Sequence, residues 1–113
     1  MLHQFKVGDE AIIRNWKEME SEYRVLGDGE EDEVIDTYCQ FIVDMKPGCG
    51  RRVRVVRLIG SPHSNGQEVQ LDALDSTDLA LVRLLDDYSW DTAMLHPLKS
   101  RYPTNRGTYA PKV

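Results

Sequence analysis

Hydrophobic and polar positions alternate with two periods along the chain. Gly8-Asp9 has turn chemistry, and Ala11, Ile12 and Ile13 follow it as an extended, part-buried run, which predicts a first strand. Asn15 then reads as a helix N-cap, with Glu18 three positions on completing a box-like pair. Trp16, Met19, Tyr23 and Leu26 recur at helical spacing, with Lys17, Glu18, Glu20, Ser21 and Glu22 between them. This predicts a short amphipathic helix at about Trp16 to Arg24, closed near Gly27.

Farther on, Val53, Val55, Val56, Leu58 and Ile59 make Arg51 to Ile59 the clearest strand. Gly60 to Gly66 reads as a hairpin loop turning at Asn65-Gly66, and Glu68 to Leu71 starts a return strand. Asp91 is a suitable cap for the turn Thr92 to Leu95, which Pro97 stops. Two segments fit both periods. In Val34 to Met45, the residues Tyr38, Phe41, Ile42 and Met45 suit a helix, while the β-branched and aromatic content suits a strand. In Asp75 to Asp87 the leucines favour a helix, while brevity and apolarity on both faces favour a buried strand. Leu98 to Val113, with Pro103, Gly107 and Pro111, reads as an extended or disordered basic tail after a domain spanning residues 1–97.

Composition narrows the class. The chain has 113 residues, one domain's worth, with 41% hydrophobic and 29% charged residues, too apolar for a disordered protein. No apolar run approaches the ~20 residues of a membrane helix. The N-terminus lacks a charged region followed by an apolar one, so no signal peptide is expected and a cytoplasmic location is. Cys39 and Cys49 are accordingly expected as free thiols. The net charge is −5, yet Lys99, Arg101, Arg106 and Lys112 are the only charged residues beyond Asp91, so the first 91 residues carry −9. An acidic body disfavours a nonspecific grip on nucleic acid without excluding a local basic patch.

No arrangement of chemical groups meets the roles of an active site. Cys39, Cys49, His3, His63 and His96 lack the close spacing of zinc ligands. Asp28, Glu30 and Asp32 alternate like the start of a calcium loop, but Glu33 replaces the sixth-position glycine and Cys39 the twelfth-position glutamate. Neither a phosphate-binding glycine loop nor a dinucleotide fingerprint is present. No enzyme activity, cofactor or metal is expected. The binding candidates are surfaces. In the run Arg51 to Arg57, alternation puts Arg52 and Arg54 on one face, and Arg51 and Arg57 on the other beside Val53 and Val55. The ordinary alternative is that these arginines pair with carboxylates across the sheet. Asp28, Glu30, Glu31, Asp32 and Glu33 form an acidic loop able to imitate a phosphate run, or simply a solvated one. Arg101 and Tyr102 in the tail have the chemistry of partner contacts.

Short strands, tight turns and one early helix suggest a small barrel. Phe5-x-Val7-Gly8-Asp9, Trp16-x-x-Met19, Phe41-x-x-x-Met45, Cys49-Gly50-Arg51 and Trp90-x-x-x-Met94-Leu95-x-Pro97 occur in that order. The series resembles small proteins encoded by phages and mobile elements of Gram-positive bacteria. The resemblance spans about residues 5–97 and implies a mainly β fold: an SH3-like (KOW-like) five-stranded barrel with one short α-helix after strand 1. It implies a strand at about Leu79 to Leu85, and core-closing roles for Trp16, Met19, Trp90 and Met94. It carries no established activity. The function expected is a non-enzymatic accessory protein that binds a host or phage protein, for example as an inhibitor of a host defence or enzyme. The alternative is a nucleic-acid-binding module using the Arg51–Arg57 strand and the basic tail. A monomer and an edge-paired homodimer are both open.

Overall fold

A computed structural model describes residues 4–27, 32–64 and 66–98. The element order is β1 (Glu10–Ile13), α1 (Trp16–Glu22), β2 (Val25–Leu26), β3 (Val34–Ile35), β4 (Phe41–Ile42), a 3-10 segment Val43–Gly48, β5 (Arg52–His63), β6 (Gly66–Ala73), α2 (Leu79–Asp87), β7 (Trp90–Asp91), a 3-10 turn Thr92–Met94, and β8 (Leu95–Pro97). The fold is mainly β. Five strands form an antiparallel sheet in the order β7-β6-β5-β1-β8, and β2-β3-β4 form a second, small sheet. The expected closure into a barrel is not made: no ladder joins β7 to β8 among the described residues.

The core follows from period-2 alternation on the large sheet. Ala11 and Ile13 of β1, Val53 and Val55 of β5, Val69 and Leu71 of β6, Trp90 of β7 and Leu95 of β8 all turn inward and are buried. The helices add one apolar face each, Trp16 and Met19 from α1 and Leu81 and Leu85 from α2. Phe41 links the two indoles, with its ring centroid 5.4 Å from that of Trp16 and 6.3 Å from that of Trp90. Met19, Met45 and Met94 fill the remaining space of the same cluster.

Helix α1 stops at Glu22, two residues before the expected end, because Tyr23 turns extended while its N–H still reaches the Met19 carbonyl. Asn15 occupies the N-cap position without capping through its side chain. Glu18 bonds to Arg14 and His96 instead of completing the box.

The segment 79–85, expected as a strand, is helical. The Asp78 carboxylate accepts the Leu81 N–H at 3.2 Å, and Asp75 accepts from Thr77 just before it. That start organises a helix in which Leu81 and Leu85, four apart, face the core. The ambiguous stretch 34–45 resolves into β3, β4 and the start of the 3-10 segment. Gly48 then passes so close to the core that a Cβ there would lie 3.0 Å from Leu84 Cδ2 and 3.3 Å from Trp90 Cη2.

Candidate functional site: an arginine-bearing sheet face

The outer face of the large sheet is built by β1, β5 and β6. Along β5, Val53 and Val55 point to the core, so Arg52 and Arg54 point away from it, as alternation requires. The register then shifts: Val55 lies opposite Leu71, but Arg57 lies opposite Gln70. This β-bulge absorbs Val56 and flips the phase of the strand. Leu58 therefore turns toward the core with Val69, and Arg57 turns outward. The expectation that Arg57 shares the Val53–Val55 face is corrected: Arg52, Arg54 and Arg57 lie on one exposed face. Arg51, just outside the strand, is engaged in an ion pair with Asp78.

Carboxylates interleave with these arginines. Glu10 lies opposite Arg54 in the β1–β5 ladder. Its Oε2 is 3.3 Å from Arg54 Nη2 and its Oε1 is 3.9 Å from Arg52 Nη2. One carboxylate thus serves two guanidiniums. Asp72 lies opposite Arg54 on the other flank. Arg57 forms no ion pair within 4.0 Å among the described residues. The Arg52 and Arg54 side chains remain 62% and 49% exposed, so water screens both contacts with Glu10 and leaves the guanidiniums reachable.

Of the other residues singled out in the sequence, Asp32 is exposed at the end of the acidic loop. Asp28, Glu30, Glu31, Arg101 and Tyr102 lie outside the described residues, as does the tail from residue 99. His63 stacks on Tyr38 at 4.8 Å, and neither Cys39 nor Cys49 forms a disulfide. Burial, with Asp91 nearby, pushes the Cys39 thiol up to about 12, and burial also raises that of Cys49. Among the described residues, no group of three or more His, Cys, Asp or Glu side chains is arranged to hold a metal ion.

Two features escaped the sequence reading. Arg14 is buried, and its guanidinium donates to the Ala93 carbonyl at 3.1 Å, to Glu18 at 2.8 Å and to Glu22. The His96 ring joins the network through Glu18 at 2.5 Å. The four-residue spacing of Arg14 and Glu18 was a visible signal, whereas the long-range partners Ala93 and His96 had none. The second feature is a cleft of about 670 Å³ lined by Trp16, Lys17, Glu20, Glu33, Lys46 and others, in which Lys46 Nζ sits 4.6 Å from the Trp16 ring centroid. Its lining balances two lysines against two glutamates, so it favours neither sign of charge.

No family model, no curated protein and no solved structure matches the chain. No helix among the described residues is long and apolar enough to cross a membrane.

Proposed function

We propose that this chain is a non-enzymatic binding module that recognises a protein partner through the outer face of its large sheet. The observation that carries the reading is the phase flip at Val56, which sets Arg57 beside Arg52 and Arg54 on one exposed surface. Arginine is favoured at protein interfaces because its planar fork makes directed, bidentate contacts. Interleaved Glu10 and Asp72 suit a partner with its own mixture of charges better than a continuous run of phosphates.

The likeness to small SH3-like proteins of phages and mobile elements rests on the sequence motifs and is kept as part of this proposal. Consecutive strands β5, β6 and β7 are neighbours, and the last strand returns to β1. A phage or mobile-element accessory protein acting on a host protein is the biological form this takes. The alternative, a nucleic-acid-binding module, draws on Arg57, whose charge meets no carboxylate among the described residues.

The test is a comparison of the wild-type chain with a triple charge reversal, Arg52→Glu, Arg54→Glu and Arg57→Glu, as baits in a bacterial lysate with and without nuclease. A nuclease-resistant protein retained only by the wild type supports the proposal. Retention that nuclease abolishes favours the alternative, and equal retention by both baits removes the arginine face from the account.

A further inference from the structure

The small sheet carries apolar side chains on both of its faces. Its ladders set Val25, Ile35 and Phe41 in one cross-strand row and Leu26, Val34 and Ile42 in the next. Successive residues of a strand point to opposite faces, so the two rows lie back to back. The first row packs into the core, where Ile35 and Phe41 are fully buried. Leu26, Val34 and Ile42 turn the other way and are half-buried. Ile42 touches the core at its end of the row, whereas Leu26 and Val34 stand outside the core cluster.

The charge around this row has one sign. Asp32 and Asp36 lie two residues before and after Val34, Asp44 lies two after Ile42, and all three are exposed. None of them forms an ion pair within 4.0 Å among the described residues. Asp44 accepts the Tyr88 hydroxyl at 3.4 Å. Glu33 is a further carboxylate beside the row, and Arg24 is the only basic residue in 24–27 and 32–44.

We infer that this face of the small sheet docks a basic amphipathic helix of a partner protein. Its aliphatic stripe rests on Leu26, Val34 and Ile42, and its Lys or Arg residues meet Asp32, Asp36 and Asp44. The surface belongs to a different sheet from the arginine face, so the inference goes beyond that reading and fails or stands independently of it. Charge selects the occupant. A nucleic acid or an anionic bilayer carries the same sign as the rim and is repelled. A second copy brings the same carboxylates. Spacing selects the helix. The row steps from strand to strand by about 4.8 Å, and same-side residues of an extended segment are about 6.8 Å apart. A helix presents same-side residues one turn apart at about 5.4 Å, the nearer match.

The probe is a labelled peptide of about four helical turns, with leucines at helical spacing and lysines elsewhere. Fluorescence anisotropy measures its binding to the full chain. A scrambled peptide of the same composition and a counterpart with Glu for Lys serve as comparisons. The helical basic peptide is expected to bind at least tenfold more tightly than either, and less tightly as salt rises. Asp32→Lys with Asp36→Lys is expected to weaken it by about tenfold or more. Val34→Thr keeps the β-branched shape while exchanging a methyl for a hydroxyl, and is expected to weaken it roughly threefold. Circular dichroism checks that each variant keeps the wild-type fold.

The inference is overturned if the helical basic peptide does not bind, if the scrambled or acidic peptide binds as tightly, or if either variant leaves binding unchanged. Replacing Lys99, Arg101, Arg106 and Lys112 by Gln in the full chain is expected to change binding less than about threefold. A tenfold gain there would make the chain's own tail the occupant and overturn the inference. A dimer in sedimentation that Val34→Thr dissolves would overturn it too, by making a second copy the occupant.

Discussion

The Asp91 carboxylate joins the two sheets by accepting the Cys39 backbone N–H at 2.6 Å across 52 positions of sequence. Its other oxygen accepts the Ala93 N–H at 2.8 Å. The loop between β3 and β4 is thereby fastened to the corner between β7 and β8. Asp91 is fully buried, so its removal leaves amide donors without solvent to replace it. Asp91→Ala is expected to cost about 2–4 kcal/mol in urea unfolding, from unpaired buried donors. Asp91→Asn keeps one acceptor and is expected to cost less.

Two carboxyls give the stability profile opposite slopes with pH. Burial raises the Asp91 carboxyl above its ordinary value despite the amides it accepts. Its contribution is therefore full below the ordinary carboxylate range and lost as pH rises through the raised value. Burial alone would raise Glu18 too, but the hydrogen bond and charge of Arg14 hold it below the ordinary value. The Glu18 contribution is present above that ordinary value and lost as pH falls through the lowered one. Thermal unfolding at a series of pH values checks both: the gap between wild type and Asp91→Asn narrows as pH rises, and the gap between wild type and Glu18→Gln narrows as pH falls.

The buried guanidinium of Arg14 ties α1 to the Thr92–Met94 turn through Ala93. Arg14→Met keeps the apolar stem but strands the Ala93 carbonyl and frees Glu18 and Glu22. Removing one partner of a fully buried pair costs about 3–5 kcal/mol. Glu18 and Glu22 are partly exposed, so the expected loss is nearer ~2 kcal/mol, read from chemical denaturation. Arg14→Lys is expected to recover little of it, since one ammonium cannot span acceptors on both elements.

Gly48 is a glycine for reasons of space. A Cβ there meets Leu84 Cδ2 at 3.0 Å, Ile13 Cδ1 at 3.2 Å and Trp90 Cη2 at 3.3 Å. Its backbone conformation is one other residues adopt, so Gly48→Ala tests packing alone. Overpacking of this kind costs roughly 1–3 kcal/mol. A lowered melting temperature and altered tryptophan emission are expected together, because the added methyl presses on the Trp90 indole.

Local chemistry was legible in the sequence wherever one period dominated. The strand at Val53 and Val55, the core face of Trp16 and Met19, and the Asp91 cap on the Thr92–Met94 turn followed from spacing and side-chain type. Segment 79–85 misled because the family resemblance tilted an even choice toward strand, against the Asp78 cap that nucleates α2. The candidate face was legible only in part. Alternation places Arg52 and Arg54 correctly but cannot foresee the extra residue at Val56, because a bulge belongs to the pairing of two strands and not to either alone. The Arg14 network was hidden for the same reason, with Ala93 lying 79 positions away.

Photo-cross-linking along β5 tests the central claim most directly. A photoreactive residue is placed in turn at positions 54, 57 and 58, and the chain is exposed to a bacterial lysate. The account expects one nuclease-resistant protein adduct from positions 54 and 57 and none from inward-facing position 58. Adducts only to nucleic acid, or a protein adduct at 58 without one at 57, would contradict it.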